Sequence, residues 1–286
     1  MRFTRAALLV AAVPVATPSG LHAQPTTGQG FAAWNLGYTV PPGWQLAQQA
    51  GRVHRLTSTT QGVVIYVAPG MYQTFNDVTV DLAKGFQALG LTAMPMGQPT
   101  PSTIKGMQAM TARYAGQDQL GRQFQAQITA ILTAHGTGLV VTGIAPNQLM
   151  EQVSAAVDQI AQGIEVRGAP QANTQAVAAL RGRWMLYSGK ATGVTSATGG
   201  SSNSYEETVE FDGAGRFAWQ SSASVSVTTP GLTGSASGAN ASSDQGTYTV
   251  IGSTLVVRGQ QGQAAFELQI LADRIIADGR TFLRAN

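Results

Sequence analysis

Two spacings of apolar residues divide the chain. Up to about residue 167, short alternating runs are interspersed with apolar residues at helical spacing; beyond residue 180 only the alternation is left. In the first part Val78, Leu82, Phe86 and Leu89 form one stripe, which predicts a helix over residues 78–89, capped by Asn76 or Asp77 and stopped at Gly90. Leu149, Val153, Val157 and Ile160 form another, which predicts a helix over residues 148–162 between Asn147 as cap and Gly163 as stop. Strand patterns fall at residues 52–57 and 63–68, then at 106–114, 123–134 and 140–144, with a loop at 95–101. Consecutive strands with short turns favour antiparallel pairing. The expectation is an α+β domain whose antiparallel sheet buries one face under two amphipathic helices.

In the second part strands are predicted at residues 183–188, 205–211, 216–227, 246–250, 254–258, 264–271, 274–277 and 281–283. Most joins are short and carry Gly, as in Asp212-Gly-Ala-Gly215 and Asp278-Gly-Arg280, which predicts an all-β up-and-down barrel. Residues 189–204 and 228–243 are different, being long, small and polar. Successive joins of a meander alternate between its ends, so both are expected to rim one mouth, either as binding loops or as flexible insertions. A period of two puts Tyr205, Glu207, Val209 and Phe211 on one face, Phe217, Trp219, Ala223, Val225 and Val227 on another, and Phe266, Leu268 and Ile270 on a third. Glu207 is the odd member. An inward carboxylate needs a partner or water, so it is either a ligand contact or a residue at a wet rim. Tyr205, Glu207, Trp219 and Phe266 are the candidate ligand-binding residues.

The N-terminus adds a compartment. Arg2 and Arg5 precede an apolar run, 6–16, too short to span a bilayer; Pro18, Ser19 and Gly20 break it, and Ala23 precedes a cleavable Gln24. The plan is a signal peptide over 1–23, a polar leader over 24–37, the α+β domain over 38–167, a linker over 168–179 and the barrel over 180–286. The mature protein is expected to be periplasmic or secreted, with no membrane insertion.

Charge and composition then exclude more than they suggest. Charged residues make up 11% of the chain, against about 25% in typical domains. The formal charge of +3 falls to +1 once Arg2 and Arg5 leave, and no basic cluster remains to attract nucleic acid. The absence of Cys removes disulfides, thiolate metal sites and a thiol nucleophile. His54 lies beside Arg55 in a strand and His135 in a Gly turn; neither has a nearby carboxylate in sequence, and their positions make no metal-ligand spacing. Both are expected to be exposed or structurally satisfied. Glu206 and Glu210 face one way and Glu207 the other, a solvated strand face rather than a pair of catalytic carboxylates. No motif calls for a cofactor or metal.

Two resemblances cover most of the mature chain. Tyr38-Thr-Val-Pro-Pro-Gly-Trp44, followed by a strand pair, a helix, a long hairpin and a closing helix, resembles the PsbP-like fold, including bacterial periplasmic relatives of the DcrB type. Members of that fold act mostly as binding or assembly modules, so the resemblance implies an interaction role. Residues 180–284 look lipocalin-like, on Gly182-Arg-Trp184, Phe211-Asp-Gly213, Gly246-Thr-Tyr248 and Arg284. That resemblance implies that Trp184, approached closely at Gly182, closes the barrel floor with Arg284 packed over it, a cation–π contact of roughly 0.5–2 kcal/mol. The Ser-rich stretch Ser221, Ser222, Ser224 and Ser226 departs from the family, so a roomy ligand cavity and a barrel filled by side chains both stay open. The expected function is a non-enzymatic binding or assembly module of the cell envelope, its partner an envelope protein. The alternatives are a carrier of a small apolar ligand in the barrel and a hydrolase built on a spatially assembled His.

Overall fold

The computed structural model of the chain describes residues 28–60, 62–72, 74–88, 91–195, 199–228, 235–260 and 262–285. The predicted signal peptide lies outside them, as do residues 24–27 of the predicted leader. The chain divides between Ala172 and Asn173 into two compact units.

The first unit begins with a small hairpin, β1 (Gln29–Phe31) and β2 (Leu36–Tyr38). It continues through β3 (Trp44–Ala50), β4 (Val53–Ser58) and β5 (Val64–Met71) to a helix, α1 (Phe75–Leu82). Next come β6 (Phe86–Ala88), β7 (Leu91–Pro95), β8 (Thr100–Ile104), β9 (Met107–Asp118), β10 (Gln123–Leu132) and β11 (Thr137–Ala145). The unit ends with α2 (Met150–Gln162) and β12 (Glu165–Val166). Strands β3 to β11 form one nine-stranded antiparallel sheet in the order β3-β4-β5-β11-β10-β9-β7-β6, with β8 also on β9. A three-stranded sheet joins β1, β2 and β12. Residues 29–37, expected to be a polar leader, therefore belong to the fold, and Phe31, Trp34 and Leu36 are buried.

Each helix corrects an expectation. α1 starts earlier than its apolar stripe, because Thr74 and Asp77 form a capping box in which each accepts the other's backbone N–H. It stops at Leu82, whose carbonyl accepts from the Tyr114 hydroxyl at 2.6 Å. Phe86, though at helical spacing from Leu82, instead pairs with Ala93 in the sheet. The expected loop at 95–101 is shortened because β7 runs to Pro95 and β8 starts at Thr100. Asn147 does not cap α2; it opens a turn of 3-10 helix that delivers the chain to Leu149.

The two helices lie on opposite faces of the sheet, not on one. A Cβ on Gly143 of β11 would sit 2.5 Å from Val153 and 2.6 Å from Val157, so α2 rests directly on that backbone. Gln127, paired with Gly143 across the ladder, donates to Asp158 of α2 at 2.8 Å. The next pair along, Ala126 and Ile144, joins Val78 and Leu82 of α1 in a separate hydrophobic cluster. Because both faces are covered, every residue of β11 is buried, and its run Leu139–Val140–Val141 is apolar without alternating.

The second unit opens with α3 (Thr174–Ala179), capped by the Asn173 side chain. This helix lies in the expected linker, yet Ala176 and Val177 pack on the barrel core. Eight strands follow: β13 (Gly182–Thr195), β14 (Gly199–Phe211), β15 (Arg216–Thr228), β16 (Ser235–Ile251), β17 (Thr254–Gly259), β18 (Gly262–Ile270), β19 (Arg274–Ala277) and β20 (Arg280–Ala285). Each pairs antiparallel with the next, and β20 returns to β13 to close the barrel.

The stretches expected to be long loops are mostly ladder. β13 and β14 remain paired through Gly189↔Ser204 to Thr192↔Ser201, and β15 and β16 through Thr228↔Ser235. Backbone hydrogen bonds carry a ladder whatever the side chains, so a Ser/Gly/Thr composition does not forbid one. Strands β13 to β16 run 13 to 17 residues, whereas β17 to β20 run only 4 to 9. β17 covers only residues 246–251 of β16, and β20 only 183–185 of β13. The four long strands thus outrun the closed barrel as a ribbon.

Candidate functional site

The floor of the barrel is built from its first and last strands. Leu180 and Trp184 are fully buried, and the Trp184 indole N–H donates to the Leu180 carbonyl at 2.7 Å. Arg284, paired with Trp184 across the ladder, lays its guanidinium 4.2 Å from the indole centroid and donates to the Arg181 carbonyl at 3.1 Å. Gly182 sits at φ +123°, and a Cβ there would come within 3.2 Å of the same guanidinium. Trp184→Phe, which removes the donor and orphans a buried carbonyl, is expected to destabilise the barrel by about 1–3 kcal/mol. Arg284→Ala is expected to cost about 1 kcal/mol, the worth of an exposed cation–π contact with one weak hydrogen bond. Urea unfolding of the barrel measures both.

Above the floor the interior is packed. Phe211, Phe217, Tyr248, Val250, Leu255, Val257, Leu268, Ile275 and Phe282 form one buried cluster with Trp184 and Trp219. Phe266 packs against its edge as an ordinary core side chain.

Three of the four candidate ligand residues meet at the next level. Glu207 is 2% exposed, so it is not at a wet rim. Its Oε1 accepts from the Trp219 indole N–H at 2.8 Å, and its Oε2 accepts from the Tyr205 hydroxyl at 2.8 Å. Arg280 grips both oxygens, Nη2 on Oε2 and Nη1 on Oε1 at 3.4 Å. Arg280 also lies 5.3 Å from the Phe282 ring centroid. Burial and the acceptor carboxylate push the Tyr205 hydroxyl up from its ordinary value. The carboxylate has the partner that an interior charge requires, and the arrangement is bidentate. Arg280 is the residue that the strand pattern overlooks, because the predicted last strand starts one position after it. Its parity with Phe282, which is buried, marks it as inward.

The histidines are placed differently from each other. His135 is exposed in its turn. His54, on β4, is 1% exposed, stacked on Phe31 with centroids 4.1 Å apart. Its Nδ1 shares a 2.8 Å hydrogen bond with the Tyr38 hydroxyl, while Nε2 is buried without a partner. Desolvation lowers its pKa to about 4. It is a core residue that fastens the small sheet to the large one, only half satisfied. Among the described residues no three potential metal ligands cluster, and no helix is long and apolar enough to cross a membrane.

No protein-family model matches the sequence, and no curated protein matches it significantly. Solved structures match in fold. The chain is similar to cyanobacterial PsbP (CyanoP) from Synechocystis sp. PCC 6803, at 13% identity and a TM-score of 0.36, covering 54% of this chain and 99% of that one. It is similar to LpqN of Mycobacterium tuberculosis, involved in cell envelope biogenesis, at 12% identity and a TM-score of 0.35, covering 51% and 88%. It is also similar to PA94 from Pseudomonas aeruginosa, a protein of unknown function, at 15% identity and a TM-score of 0.32, covering 50% and 99%.

Proposed function

We propose that the chain is an exported, non-catalytic binding or assembly module of the cell envelope that acts through protein contacts. The observation that carries this reading is how the barrel uses its polar side chains. Tyr205, Trp219 and Arg280 all hydrogen-bond the Glu207 carboxylate, and the floor beneath them is filled. A carrier needs an interior with room and with polar groups left to orient a ligand; this interior uses its polar groups on itself. The barrel's spare surface lies instead on the ribbon, whose strands outrun β17 to β20. Extended strands of this kind offer backbone groups and broad faces to another protein.

Native mass spectrometry of the full mature chain, purified from the exported fraction with gentle cross-linking, tests the reading. The expected spectrum holds the bare chain and a defined complex with one envelope protein. Trimming the ribbon back to the barrel rim should remove the complex and leave the barrel folded. A stoichiometric small apolar molecule on the bare chain would overturn the reading in favour of the carrier.

A further inference from the structure

We propose that the outer wall of the barrel carries a binding groove for an uncharged saccharide chain. A concavity of about 290 Å³ opens on that wall. Arg183, Glu206, Thr208, Gln220, Ser222 and Ser243 line it. The ladder fixes their common face: Glu206 pairs with Ser222, Thr208 with Gln220, and Gln220 with Ser243. Trp184, Glu207 and Trp219 are buried, and Arg183, Glu206, Thr208 and Gln220 each stand one residue from one of them, so these four side chains project from the opposite side of the wall.

The lining selects its ligand by chemistry. Hydroxyl and amide side chains both donate and accept, as the hydroxyls of a sugar do. One cation and one anion cancel, which gives no net attraction for a phosphate or a nucleic acid. Ala241 is the one aliphatic lining residue, so the groove offers nothing to a lipid tail. The side chains of Arg183 and Glu206 make no hydrogen bond or ion pair among the described residues. Glu207, the next residue along, has both carboxylate oxygens engaged. The contrast separates a carboxylate used by the fold from one presented to the outside. Carboxylate and guanidinium groups hydrogen-bond adjacent hydroxyls in pairs.

A flat apolar surface stands beside the groove. Tyr187 is 69% exposed and pairs with Glu206 across β13 and β14, on the same face. A large aromatic ring exposed to this degree, next to a polar concavity, suits the stacking of a sugar's C–H face. The volume is just below the roughly 300–1,000 Å³ of small-molecule sites, which fits a short segment of a chain that continues past the groove. The wall of a β-barrel is used this way by other folds that bind oligosaccharides.

Isothermal titration calorimetry of the full mature chain tests the site, with cellotetraose, maltotetraose, chitotetraose and mannotetraose as probes. At least one should bind, with a Kd of roughly 10 μM to 1 mM. Tyr187→Ala, Glu206→Gln and Arg183→Met should each weaken that binding by about tenfold or more, with thermal unfolding unchanged because all three side chains lie on the outer wall. The site is wrong if none of the probes binds, or if binding is undiminished in all three variants, which would locate it elsewhere. Heat from an uncharged Gly-Ser peptide with none from the sugars would equally overturn it. Such a failure leaves the protein-contact reading untouched, since that rests on the ribbon and not on this groove.

Discussion

Lowering the pH from 7 to 4 should destabilise the N-terminal unit by about 3 kcal/mol through His54 alone. Burial holds this imidazole near pKa 4 in the folded chain, against 6.5 as its ordinary value. Between those values the unfolded chain binds the proton and the folded chain does not, so stability falls as the pH falls. Each pH unit below 6.5 costs about 1.4 kcal/mol until the folded pKa is reached, and the loss then levels off. The cause is visible in the packing. Phe31 covers one face of the ring, Tyr38 takes Nδ1, and Nε2 faces no partner, so a proton would create a buried charge with nothing to receive it. Because Phe31 and Tyr38 belong to the small sheet and His54 to the large one, the first structural consequence should be release of the β1–β2 hairpin. Urea unfolding followed by circular dichroism at pH 7, 6, 5 and 4 measures the slope. His54→Gln, which can still meet the Tyr38 hydroxyl but does not titrate, should flatten it across that window. Equal slopes for the parent and the variant would assign the acid sensitivity to other groups.

What was legible in the sequence, and what was not, follows from the range of the forces involved. The barrel was legible because its signals are local: alternation in each strand and glycine at the tight turns. Even the contact between the first and last strands was readable, since Trp184 and Arg284 stand in a motif that resembles a known closure, and the guanidinium does lie over the indole. The ribbon was not legible. The Ser- and Gly-rich stretches at 189–204 and 228–243 carry no apolar alternation, and a ladder extended by backbone hydrogen bonds leaves no trace in side-chain pattern. Helix α1 misled for a related reason. Phe86 keeps helical spacing with Leu82, yet strand pairing with Ala93 won over propensity. The opposite placement of the two helices depended on Gly143, where a missing side chain lets α2 approach, and a lone glycine in an apolar strand does not say which face it opens. In the candidate site, alternation placed Glu207 inward, as found. Its partner lies 73 residues away on the last strand. No local pattern links the two, so the wet rim was the natural expectation for an isolated carboxylate.

That pairing gives the largest single effect. Arg280→Met should cost the barrel about 3–5 kcal/mol, because it leaves a carboxylate that is 2% exposed without its counter-charge. Glu207→Gln should cost less, about 1–2 kcal/mol. The amide still accepts from Trp219 and can donate to the Tyr205 oxygen, and the Arg280 side chain, 30% exposed, can turn its charge toward water. The two changes together should be much milder than Arg280→Met alone, since a neutral amide facing a thioether leaves no buried charge at all. The coupling in this double-mutant cycle, read from urea midpoints followed by tryptophan fluorescence, is therefore expected to be at least about 1.5 kcal/mol and to favour the double variant. Additivity would mean that Glu207 and Arg280 are not desolvated together. The barrel would then hold water at this level, above its packed floor, and an interior wet enough to solvate a carboxylate is also one with room for a ligand. The cycle thus decides more than a stability increment. Strong coupling makes the Tyr205–Glu207–Trp219–Arg280 layer a closed part of the core and directs binding to the outer surfaces. Its absence would reopen the interior, with Arg280 as the group a ligand would meet first.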